Sequence, residues 1–137
     1  METGLAEKVA NQAVDHLLKA AALYKGKLFE EKLSIEWIAQ ERERIEQLYI
    51  QALERLAQSY TRLQDYGKTI EWAEKLLRID QTWEEAYRLL MYAHYQLQNR
   101  PQSIKWYRKC KSVLQDELSL EPMETTEQMY KMIVNEL

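Results

Sequence analysis

The sequence predicts an all-α protein built as a stack of antiparallel helices. Three observations carry that reading. The chain matches itself at one fixed offset: Leu56, Leu63, Gln64, Ile70, Trp72 and Lys75 fall on Leu90, Leu97, Gln98, Ile104, Trp106 and Lys109, with Asp65 on Asn99 and Thr69 on Ser103. Apolar residues recur at helical spacing along most of the chain. Only three Gly and two Pro occur, too few for a protein of many strands and tight turns.

The first helix is expected from about Leu5 to Tyr24, where Val9, Ala13, Leu17, Ala20 and Tyr24 hold one face. Gly26 stands where a left-handed C-cap is wanted. A connection follows from Lys27 to Leu33, with Leu28 and Phe29 turned inward. Ser34 is a good N-cap. From Ile35 to Gln64 there is no Gly, Pro or Asn, and Ile38, Ile45, Leu48, Tyr49, Ala52, Leu56, Tyr60 and Leu63 keep helical spacing. One unbroken helix is predicted there, about 45 Å long at the usual rise, ended by Asp65-Tyr66-Gly67.

The third helix is expected from about Lys68 to Ile79, followed by a turn at Asp80-Gln81-Thr82. Thr82-Trp83-Glu84-Glu85 reads as a capping box, an N-cap Thr with Glu three residues later. The fourth helix would then run from Trp83 to about Gln98. Asn99-Arg100-Pro101 is a turn whose Pro suits a first helical turn, and a fifth helix covers about Pro101 to Glu117. Pro122 marks the start of a last helix, with Met129, Met132, Ile133 and Leu137 as its apolar stripe.

The offset from Leu56 to Leu90, about 34 residues, is the period of the tetratricopeptide helix-turn-helix unit. Such units stack because neither helix of a pair can bury its apolar face alone. The expected architecture is therefore a tetratricopeptide-like stack of about six helices forming a right-handed superhelix in one domain, residues 1–137. Its product is a surface for holding another macromolecule. The chain departs from the general repeat pattern at Ala57 and Met91, where Gly is usual, and at Gln81, where Pro is usual.

Charge and composition narrow the partners. A net charge of -3 and a pI near 5.5 argue against a domain that binds nucleic acid on its own. Arg100, Lys105, Arg108, Lys109 and Lys111 crowd the fifth helix and read as a solvated face. Cys110 is the single cysteine, so no intrachain disulfide forms, which suits a reducing cytosol. Met1-Glu2-Thr3-Gly4 opens no apolar signal region, and no run approaches the length of a membrane span. The expected location is cytoplasmic, with no membrane partner.

No catalytic, cofactor or metal residues are expected. The chain lacks HExxH, CxxC, GxSxG and Gly-rich phosphate-loop patterns. His94 falls on Tyr60 at the repeat offset and reads as a packing histidine. Cys110 falls on Leu76 and reads as a core thiol. Glu41 and Glu43, or Glu84 and Glu85, lie on helix surfaces with no cleft to gather them. Trp72 and Trp106 share a packing role between neighbouring helices.

Arg88, Tyr92 and Tyr95 stand at i, i+4 and i+7 on the first helix of a pair, which lines the inner face of such stacks. Tyr and Arg are typical binding anchors, so this stripe is the candidate partner-binding surface. The counterpart one repeat earlier, Glu54, Gln58 and Thr61, is polar. The competing expectation is a stripe packed under the last helix.

A narrower likeness runs nearly the whole length. Leu23-Tyr24-Lys25-Gly26, Glu36-Trp37 and Glu41-Arg42-Glu43-Arg44 resemble elements of the bacterial transcriptional activation domain. So do the run from Glu85 to Met91, Asn99-Arg100, Tyr107-Arg108-Lys109-Cys110, Glu117-Leu118, Glu121-Pro122, Thr126 and Tyr130. The resemblance spans about Ala13 to Val134. It implies a tetratricopeptide-like domain of antibiotic-regulatory-type activators, response regulators or large signalling ATPases, usually following a DNA-binding winged helix. The implied partner is protein, either RNA polymerase or another domain of the same regulator, with a homodimer also open. DNA would be reached only through a separate reader. No strand-rich or basic N-terminal segment of that kind is visible. The alternative is a helical-repeat scaffold or ligand-sensing domain of a signalling protein.

Overall fold

The computed structural model describes residues 12, 14–19, 22 and 35–135. The Gly26 cap, the 27–33 connection, the Ser34 cap and Leu137 lie outside these residues, as does much of the expected first helix. Residues 12, 14–19 and 22 are helical and are called α1. Then follow α2 (Ile35–Arg62), α3 (Tyr66–Ile79), α4 (Glu84–Gln96), α5 (Arg100–Leu118) and α6 (Glu124–Asn135). The six helices are the all-α stack the sequence predicts, and no strand occurs among the described residues. α2 is continuous over 28 residues, as expected from the absence of breakers.

Each helix packs on the next from α2 to α6, and α4 also touches both α2 and α6. Alternate helices in contact are what a stack of hairpins produces. The main core draws Ile50, Leu53, Leu56 and Ala57 from α2, Ala73, Leu76 and Leu77 from α3, Tyr87 and Leu90 from α4, and Cys110 and Leu114 from α5. Val14 of α1 joins it. A second cluster of Met91, Tyr107 and Ile133, with Tyr95, Met129 and Tyr130 against it, binds α4 and α5 to α6.

The sequence repeat is legible atom by atom. Thr69 Oγ1 donates to the Ala57 carbonyl at 3.4 Å, and one repeat later Ser103 Oγ donates to the Met91 carbonyl. These bonds hold the second helix of each pair against the first, at the positions where a Gly is usual. Asp65 caps α3 by accepting from Lys68 N, and Asn99 caps α5 by accepting from Gln102 N. Lys75 lies 5.0 Å over Trp72 and Lys109 5.2 Å over Trp106. α2 and α4 end alike, with Gln64 at φ 61° and Gln98 at φ 64°. Asp65 N bonds the Tyr60 carbonyl and Gln64 N that of Thr61; Asn99 N bonds the His94 carbonyl and Gln98 N that of Tyr95. This is the Schellman pattern, which satisfies carbonyls left open at a helix end.

Two local expectations are corrected. The capping box does not form: Trp83 is the N-cap of α4 and makes no side-chain capping bond. Thr82 instead bonds Asp80 Oδ1 through both Oγ1 (2.6 Å) and N (3.0 Å). An Asp two residues upstream competes for the Thr through an Asx-type turn, while Glu85 turns to Arg88. α4 thus begins at Glu84, and its two leading acids favour the N-terminal end of the helix dipole. The last helix starts at Glu124, after Pro122, because the Met123 carbonyl accepts the first turn's bonds from Thr126 N and Glu127 N.

Candidate functional site

The three residues of the α4 stripe occupy different surroundings. The Arg88 side chain is 15% exposed. Its Nε and Nη2 reach Glu85 Oε2 at 3.0 and 2.5 Å. Its Nη1 donates to Thr126 Oγ1 at 2.9 Å and lies 3.8 Å from Met123 Sδ. Glu84, 3.5 Å from Arg88, accepts from Met123 N at 2.7 Å and from Thr126 Oγ1 at 2.5 Å. Arg88, Glu84 and Thr126 therefore clamp the start of α6 onto the start of α4.

Tyr95 is half-buried against the cluster that joins α4, α5 and α6. Tyr92, also half-buried, meets Tyr66 of α3 edge-on, with ring centroids 6.0 Å apart and planes 70° from parallel. Burial, and then the neighbouring Tyr92, push the Tyr66 hydroxyl above its ordinary pKa. The structure thus brings Arg88 and Tyr95 to the α6 side and pairs Tyr92 with a tyrosine of the preceding hairpin. On the earlier repeat, Glu54 accepts from Trp83 Nε1 at 3.2 Å, and Thr61 bonds the Ala57 carbonyl and lies 3.0 Å from Thr69 Oγ1.

Sequence reasoning missed the partners supplied by α6. Tyr107 OH donates to Glu127 Oε1 at 2.6 Å, and its ring stacks on Tyr130 with centroids 3.9 Å apart and planes within 9°. Burial chiefly, and then the Glu127 contact, raise the Tyr107 pKa. Tyr66 could have been found, since Tyr66-Gly67 opens α3 beside the αL turn; the α6 pairs could not, because they fall outside the repeat register.

Cys110 is fully buried, and burial above all pushes its thiol up to about 12. At neutral pH it is a protonated packing group, not a nucleophile. His94 has a buried Nε2 with no hydrogen-bond partner among the described residues. Burial, opposed by Glu74, lowers its pKa, which favours the neutral imidazole. Among the described residues no group of three or more His, Cys, Asp or Glu is placed to hold a metal, and no helix is long and apolar enough to cross a membrane.

Helical hairpins that recur at one fixed spacing, with their hydrogen bonds and caps recurring alike, define a tetratricopeptide-like fold. The family model of the bacterial transcriptional activator domain matches residues 2–134; the chain belongs to that family. Among solved structures it is similar to the C-terminal TPR-containing domain of a Plasmodium falciparum protein described as a putative FK506-binding protein. That likeness has a TM-score of 0.55 at 22% identity, covering 97% of this chain and 86% of the other, and it speaks to the fold alone. No curated protein matches the chain.

Proposed function

We propose that this domain is the protein-binding element of a bacterial transcription regulator, acting in the cytoplasm and contacting RNA polymerase or a neighbouring domain of the same regulator. The observation that carries the reading is membership of the activator-domain family over residues 2–134 in a chain whose fold is a stack of helical hairpins. Contact with DNA falls to a separate reader, in keeping with the net charge of -3. Within the domain, Arg88, Tyr92 and Tyr95 form the contact line. Tyr92 offers aromatic area at low entropic cost. Arg88 and Tyr95 also hold α6, so the surface a partner meets depends on where α6 is seated.

The test is capture on the immobilised domain of purified bacterial RNA polymerase and, separately, of the remaining domains of its regulator. Saturable binding of either, weakened by Tyr92→Ala, supports the reading. Binding of neither by the folded domain overturns it.

A further inference from the structure

A pocket of about 350 Å³ lies between α1 and α2, lined by His16, Leu17, Arg55, Gln58, Ser59 and Arg62. Four of these lie on one face of α2, at i, i+3, i+4 and i+7. The two arginines stand about 10 Å apart along the axis, with an amide and a hydroxyl between them. His16 and Leu17 form the opposite wall from α1. No carboxylate is among the described lining residues. Neither arginine makes an ion pair among the described residues.

Ser59, 3% exposed, lines the floor of this pocket between the two arginines.

We propose that this pocket binds a small molecule carrying anionic oxygens, of the dicarboxylate or phosphate class. Arg55 and Arg62 each present a planar fork that matches carboxylate or phosphate oxygens in pairs. Gln58 and Ser59 supply neutral donors between them, and His16 closes the site from α1. The volume is that of a small-ligand site. A ligand held from both walls stabilises the α1–α2 contact, so occupancy reads out as thermal stability. The inference stands apart from the activator reading, because it concerns neither the α4 stripe nor a protein partner.

The test is calorimetric titration of the whole chain, at fixed ionic strength, with inorganic phosphate, pyrophosphate and succinate, alongside thermal melts. The expected result is saturable binding of at least one probe near one equivalent, with a raised melting temperature. Arg55→Gln and Arg62→Gln should each weaken it about tenfold or more, as loss of a charge-assisted pair does. Arg78→Gln, on the exposed end of α3, should leave it unchanged. Preference for the phosphates over succinate, or the reverse, assigns the source of the oxygens. Absence of saturation by all three probes at about 10 mM, a concentration that would reveal even millimolar affinity, overturns the proposal. Undiminished binding by the folded Arg55→Gln/Arg62→Gln variant does so equally.

Discussion

Arg88→Ala is the substitution that most directly tests how α6 is held. It removes the 2.9 Å bond to Thr126, the two bonds to Glu85 and the 3.5 Å ion pair with Glu84. Two limits bracket the cost. Breaking a buried pair costs about 3–5 kcal/mol, whereas a surface pair contributes about 0–1 kcal/mol. Here the Arg88 side chain is 15% exposed and those of Glu84 and Glu85 13% and 30%, nearer the buried limit but not at it. The expected loss is about 2–3 kcal/mol after discounting for that exposure. For a chain of this length that lowers the melting temperature by about 6–10 °C. Urea unfolding followed by circular dichroism measures the loss. A double-mutant cycle with Thr126→Val should return a coupling of about 1.5–3 kcal/mol, the contribution of a single hydrogen bond from a charged donor. Hydrogen exchange should show the α6 amides losing protection before those of α2 and α3. A destabilisation below about 0.5 kcal/mol, the level of a solvated pair, or strict additivity with Thr126→Val, would refute the clamp.

Tyr92→Ala should weaken partner capture by about 1–2 kcal/mol, as binding anchors do, while the half-buried ring costs less stability than a core aromatic; a loss of about 3–5 kcal/mol in urea unfolding with unaltered capture would remove Tyr92 from the contact line. Gln64→Gly and Gln98→Gly should each stabilise the fold by up to about 1 kcal/mol, since both residues sit at positive φ, where glycine avoids the Cβ penalty; unchanged or lowered denaturation midpoints would count against that account. Stability should also fall at high pH. Cys110 and Tyr87 are each pushed up to about 12, chiefly by burial. A group whose folded pKa is raised contributes stability fully below its unfolded pKa, and that contribution is lost as pH rises toward the folded value. Midpoints measured from pH 8 to 11 should therefore decline, and Cys110→Ala should flatten the early part of the decline; parallel curves for parent and variant would exclude the thiol as a cause.

The stack and its repeating contacts were legible in the residues because they are local to a hairpin. Thr69 and Ser103 meet carbonyls twelve residues back in the chain, and Asp65 and Asn99 cap helices three residues ahead. Contacts at such short separations recur whenever the sequence does, so the match of the chain with itself carried the bonds with it. The unbroken α2 followed from the lack of any Gly, Pro or Asn between Ile35 and Gln64. The capping box failed even at short range, because pattern alone does not rank Thr82 as a cap against Thr82 as a partner of Asp80.

The seating of α6 was decided by tertiary structure. Arg88 meets Thr126 across 38 residues and Glu84 meets it across 42, neither of them the repeat separation, because the connection from Ser119 to Met123 shifts the last helix out of register. Side-chain type marked Arg88, Tyr92 and Tyr95 as one stripe. Only the packing of α6 and α3 on α4 determined that Arg88 grips a helix start, that Tyr95 joins a second core and that Tyr92 faces Tyr66. The physical reason is the same in each case: helical period fixes which residues share a face, whereas what covers that face depends on how distant segments are brought together.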